Sequence, residues 1–106
     1  PVEGAAADKI CKQYPFYTKT IIPAGTYRGT DKDTPALAIK ATLAVSAKLD
    51  EETVYQMTKA LFENLDELGN AHAKGKEVSA KAAVTGISVP LHPGAQKYFK
   101  ELGLVK

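Results

Sequence analysis

The alternation running from Ala36 to Ser46 limits this chain more than any other stretch. Leu37, Ile39, Ala41, Leu43 and Val45 take every second position, and Ala38, Lys40, Thr42, Ala44 and Ser46 fill the places between. A period of two held this long predicts one extended strand with its apolar face in a core. The opposite face is mostly small side chains, so a second layer is expected to pack closely there. At about 3.3 Å per residue the strand would reach about 36 Å. That is enough to cross a compact unit or to connect two.

The flanking sequence supplies helices and one further strand. Glu3–Tyr14 is alanine-rich and reads as a short helix, with Ile10 and Cys11 on its buried stripe and Pro15 closing it. Phe16–Ile22 has the aromatic and β-branched residues of a strand, and Pro23 ends it. The loop AGTYRGTDKDTP then leads into the alternating segment, with Gly25, Gly29 and Pro35 as punctuation. A loop of this length inside a compact domain is usually functional or packed down.

After Lys48 the period changes to that of a helix. Asp50 is the expected N-cap, Leu49 and Val54 form a hydrophobic staple, and Glu51 and Glu52 suit the positive helix end. Val54, Met57, Leu61, Phe62, Leu65 and Leu68 make one apolar face, with Gly69 as the expected C-terminal cap. Asn70–Glu77 is read as a loop, Ser79 caps a short helix through Ala83, and Ile87–Pro90 is extended. A last helix starts near Pro93, buries Ala95, Tyr98, Phe99 and Leu102, and stops at Gly103. The fold class is α/β, with few strands and several helices.

Composition narrows the partners. Fourteen basic and twelve acidic residues leave a net charge of +2, and Arg28 is the only arginine among scattered lysines, which argues against nucleic acid. No apolar run approaches the ~20 residues of a membrane span. A single cysteine, Cys11, leaves no internal disulfide, and a chain opening on Pro1 points to processing or truncation upstream.

Candidate binding groups cluster ahead of the long strand. Thr26 and Tyr27 put hydroxyl donors on a loop, which suits hydrogen bonding to a carboxylate ligand. Tyr17 on the first strand is a further ligand-binding candidate. Arg28 could pair with a carboxylate, but an arginine beside a glycine in a turn is expected to lie in solvent. Asp31 and Asp33 lack the glycine and distal glutamate of a calcium loop and read as turn formers. His72 is expected in solvent, and His92 is expected to cap or orient the final helix. No nucleophile elbow, phosphate loop or metal-ligand cluster is visible, so neither catalytic residues nor a cofactor or metal is expected.

The tracts YPFYTKTIIPAGTYRGTDKDTPALAIKATLAVSAKLDEETVYQMTKALFENLDEL and VPLHPGAQKYFKELG together resemble the C-terminal third of a TAXI-type solute receptor, the substrate-binding subunit of one class of TRAP transporter. The resemblance runs from about Ile10 to Leu104. It implies the C-terminal portion of a bilobal fold like that of type II periplasmic binding proteins. Residues 1–35 would end lobe two, 36–48 would form the crossing strand, and 49–106 would pack on lobe one. It further implies a periplasmic or extracytoplasmic protein without enzymatic activity. The implied partners are a small organic acid or amino acid such as glutamate and the membrane subunits of the transporter. The alternative is a free-standing interaction module, a homodimer joined through an exposed strand edge.

Overall fold

The computed structural model describes all residues, Pro1 to Lys106. Five α-helices and one two-stranded sheet make a mixed α/β chain, consistent with a fragment of a bilobal binding-protein fold. The chain divides into two compact units, one of residues 1–42 with 86–88, the other of residues 43–85 with 89–106.

In the first unit, α1 (Gly4–Gln13) precedes β1 (Tyr17–Ile22), which pairs antiparallel with β2 (Thr34–Ile39). The register runs from Tyr17 opposite Ile39 to Ile22 opposite Thr34. Ala7 on α1 is fully buried, and Asp8 on the same helix is ion-paired with Lys19 of β1. Gly86 belongs to this unit and lies so close to Thr18 that a Cβ there would stand 2.3 Å from Thr18 Cγ2; its φ is +72°.

The expected long strand is cut short. β2 stops at Ile39, and Lys40–Lys48 has no regular structure although the apolar alternation continues through it. The reason is the ladder: β1 is six residues long and is the only strand paired with β2, so the register ends where Tyr17 faces Ile39. Leu43, which the pattern assigns to the core face, is 79% exposed.

In the second unit, α2 (Glu51–Glu63) begins where Asp50 caps it, accepting from the Thr53 N–H at 2.8 Å. The helix expected to continue to Leu68 instead breaks at Asn64 (φ −123°, ψ 34°), whose side-chain amide donates to the Ala60 carbonyl at 2.7 Å. It resumes as α3 (Leu65–Ala71). Gly69 is therefore inside a helix and does not cap one. It is buried because a Cβ would approach Lys76 Cγ to 3.1 Å. The segment expected as a loop after Gly69 is the last turn of α3 followed by a 3₁₀ turn at Ala73–Glu77, with Gly75 pressed against the Leu68 carbonyl. Ser79 caps α4 (Ala80–Ala83), as expected from its side chain.

α5 (Pro93–Glu101) packs on α2 and builds the core of this unit. Phe62 stacks on Tyr98 at 6.0 Å and meets Phe99 edge-on at 5.5 Å. Val54, Tyr98 and Phe99 are buried. The helices meet most closely at Gly94, where a Cβ would lie 2.3 Å from the Glu51 carbonyl oxygen and 2.5 Å from the Tyr55 nitrogen. Met57, which its helical spacing assigns to the buried face of α2, is half exposed.

Across both units only Ala7, Val54, Tyr98 and Phe99 are buried apolar residues. The chain exposes 8013 Å². Area scaling gives about 5,700 Å² for one compact protein of this mass and about 6,900 Å² for two separate bodies of half that mass. The surplus is large by either measure.

Candidate functional site

The loop between β1 and β2 is built from two consecutive tight turns. Thr26 N–H donates to the Pro23 carbonyl at 3.2 Å, with Gly25 between them at φ +77°. Thr30 N–H donates to the Tyr27 carbonyl at 3.1 Å, with Gly29 between them at φ +83°. A positive φ at the third turn position is where glycine is required. Further bonds tie the turns together. Gly25 N–H donates to the Thr30 carbonyl at 2.7 Å, and Thr30 Oγ1 bonds the Tyr27 carbonyl at 2.6 Å. At the loop's base, Ala24 N–H donates to Asp33 Oδ1 at 2.8 Å. Asp33 therefore latches the two ends of the loop together across nine residues, and the local turn expected from its residue type is not the bond it makes.

The candidate ligand-binding residues divide between two places. Thr26 and Tyr27 are neighbours on this loop. Thr26 Oγ1 donates to the Pro23 carbonyl at 2.7 Å, so its proton is committed and only its oxygen lone pairs face outward. Tyr27 is 63% exposed. Tyr17 lies at the other end of β1, about 16 Å of strand away from the start of the loop. It sits in an aromatic cluster, 5.0 Å from Phe16 and 6.4 Å from Tyr14 between ring centroids. The structure brings Thr26 and Tyr27 together and leaves Tyr17 apart.

Arg28 lies between Tyr27 and Gly29 and is exposed, with no carboxylate within ion-pair distance. Asp31 is exposed three residues on.

The histidines are structural. His92 Nδ1 accepts from Gly94 N–H at 3.2 Å and caps α5, while Nε2 bonds the Leu49 carbonyl at 2.9 Å. The neutral tautomer with its proton on Nε2 satisfies both contacts. His72 Nδ1 accepts from Lys74 N–H at 3.1 Å at the start of the 3₁₀ turn. No group of three or more His, Cys, Asp or Glu side chains is arranged to hold a metal ion, and no helix is long and apolar enough to cross a membrane.

The perturbed titrations also belong to framework contacts. A hydrogen bond from Tyr55 to Glu101, 2.8 Å long, raises the Tyr55 phenol above its ordinary value, and burial raises that of Tyr98. The bond from Thr53 N–H holds the Asp50 carboxyl low. Gln56 does the same for Glu52, aided by Lys97 at 3.6 Å. None of these groups lines the β1–β2 loop.

What the residue pattern did not reveal was the tightness of the loop. The signal was present in the spacing of Gly25 and Gly29, each at the third position of a possible turn.

The model of the NMT1-like family matches residues 1–103. This is a periplasmic-binding-like family related to solute receptors, typically extracytoplasmic and generally non-enzymatic. Its members' business is to hold a small solute. With nearly the whole sequence inside the match, the chain belongs to the NMT1-like family of solute-binding proteins.

Proposed function

We propose that the chain is the C-terminal part of a TAXI-type solute receptor serving a TRAP secondary transporter, and that it binds a small carboxylate or amino acid such as glutamate. The observation that carries the reading is the family match over residues 1–103. The surplus of exposed surface supports the view that more polypeptide packs against these residues. In this reading residues 1–35 end one lobe, 36–48 lead back towards the other, and 49–106 pack on it. Tyr27 contributes a hydroxyl donor to the ligand site from the β1–β2 loop, and Thr26, its proton committed to Pro23, contributes only as an acceptor. Transport requires the solute to bind the closed pair of lobes more tightly than the open pair. The closed form is then the one that the membrane subunits recognise.

The test is calorimetric titration of the receptor, as expressed from its own gene, with L-glutamate, L-glutamine and succinate. Saturable one-to-one binding of at least one of them is expected, weakened several-fold by Tyr27→Ala. If none of the three binds, the ligand class is wrong.

A second reading, self-association through a strand edge, is favoured by one observation. A two-stranded sheet leaves an outer edge on each strand, and here Ile21 and Ile39 are about 60% exposed. Sedimentation of the product expressed from the native gene separates the two. A monomer much heavier than 11.3 kDa supports the receptor, and a dimer of chains of that mass supports the module.

A further inference from the structure

We infer that His92 is a proton-operated latch shared by the starts of α2 and α5: neutral, it caps α5, and protonated, it releases that cap while keeping its hold on Leu49. The inference goes beyond the receptor reading and does not depend on it. Three observations meet at this ring.

Both ring nitrogens are in use, and in opposite roles. Nδ1 accepts from Gly94 N–H at 3.2 Å, and Nε2 donates to the Leu49 carbonyl at 2.9 Å. A proton added to this tautomer goes to Nδ1 and turns the acceptor into a donor. Nδ1–H and Gly94 N–H would then face each other, donor against donor, while the bond to Leu49 survives. Histidine is the side chain that changes charge between about pH 5 and 8.

The donor left behind has no easy substitute. Pro93 has no N–H, so Gly94 supplies the first one of α5. Gly94 is buried, its backbone pressed against the Glu51 carbonyl and the Tyr55 nitrogen of α2. A buried N–H stripped of its acceptor is costly, so the first turn of α5 must shift to find another. Gln96 N–H, bonded to the His92 carbonyl at 2.9 Å, shifts with it.

The charges at the junction give the imidazolium somewhere to go. The start of α2 brings Asp50, Glu51 and Glu52, and α5 brings Lys97, which is paired with Glu52 at 3.6 Å. The Asp50 carboxyl is held low first by Thr53, and the charge of His92 adds to that. Asp50 follows directly on Leu49, where the ring is already held. One proton therefore moves the ring from the cap of α5 towards the residue that caps α2.

The experiment follows amide exchange by NMR in the protein expressed from its own gene, at pH 8 and pH 5. In the wild type, protection of Gly94 and Gln96 should fall about fivefold at the lower pH, the scale of a lost helix cap. His92→Asn keeps a side-chain acceptor that cannot titrate, and its protection should be the same at both pH values. His92→Ala should be low at both; if it does not fold, the asparagine variant decides alone. Nitrogen shifts of the ring at pH 8 should show the proton on Nε2. Wild-type protection that does not change with pH overturns the inference, and so does a proton on Nδ1 at pH 8. An equal fall in His92→Asn also overturns it, and assigns the loss to the carboxylates of α2.

Discussion

Between α2 and α5, three aromatic rings at 5.5 to 6.0 Å and a glycine contact lock two helices together. Around the β1–β2 ladder, the buried apolar side chain is Ala7, and Ile21 and Ile39 remain about 60% exposed. The helical unit carries its own core because two amphipathic helices can bury each other's stripe without further help. The sheet unit cannot, since a pair of strands buries little by itself and is marginal in water. In a bilobal receptor those faces would be covered by other parts of the lobe. The unit that lacks a core holds the β1–β2 loop, where tight turns and not packing set the geometry.

The contrast is broken most directly at Phe99, which is 4% exposed. Phe99→Ala removes the ring that meets Phe62 and Tyr98 and should cost about 3–5 kcal/mol in urea unfolding. Ile21→Ala, of comparable chemistry on the sheet, should stay within about 0.5 kcal/mol of the wild type. Equal losses would mean that both units rest on one core, and the comparison would fail.

A smaller effect is expected at Gly94. A methyl group there meets backbone atoms of α2 at 2.3 and 2.5 Å, so the two helices must move apart. Gly94→Ala should cost about 1–3 kcal/mol and shift amide resonances along both α2 and α5. Gly25→Ala meets nothing within 4 Å and suffers only from its positive φ, a cost of about 1–2 kcal/mol. Its resonance changes should stay within the β1–β2 loop. Spread of the Gly25→Ala changes beyond that loop would show that the turns are not an independent scaffold.

These residues also mark how far the sequence could be read. The caps were legible because a cap is local: Asp50, Ser79 and His92 act on N–H groups two or three residues ahead. The aromatic core was legible from helical spacing. The end of β2 was not, because strand length depends on a partner, and the alternation through Val45 says nothing about whether one exists. Gly69 was misread as a stop because a glycine serving close approach looks the same in sequence as one serving a left-handed cap. At the candidate site, the hydroxyls of Thr26 and Tyr27 were visible, but Thr26's commitment to Pro23 and the distance to Tyr17 needed coordinates.

The subtlest separation of the two units is by pH, because the Asp50 cap in one and the Lys19–Asp8 pair in the other respond in opposite directions. Asp50 accepts from Thr53 N–H at 2.8 Å and Thr53 Oγ1 at 2.7 Å, and its carboxyl is held below the ordinary value. A depressed carboxyl stabilises the fold above its unfolded value and ceases to do so as pH falls through the folded one. α2 should therefore loosen in acid, below about pH 4. Lys19 is the reverse: its hydrogen bond to Asp8 raises the ammonium above the ordinary value. That contribution is complete below the unfolded lysine value and disappears as pH rises through the folded one. Both groups are exposed, so each effect is small, and the Lys19–Asp8 pair should shrink further in salt. Asp50→Asn keeps an acceptor but cannot titrate, and should flatten the acid limb of the α2 helical signal without touching the alkaline limb. Lys19→Met should flatten only the alkaline limb of the sheet signal. If Asp50→Asn leaves the acid limb as steep as before, the cap is not what acid removes, and Glu52, held low by Gln56 on the same helix, becomes the group to replace next.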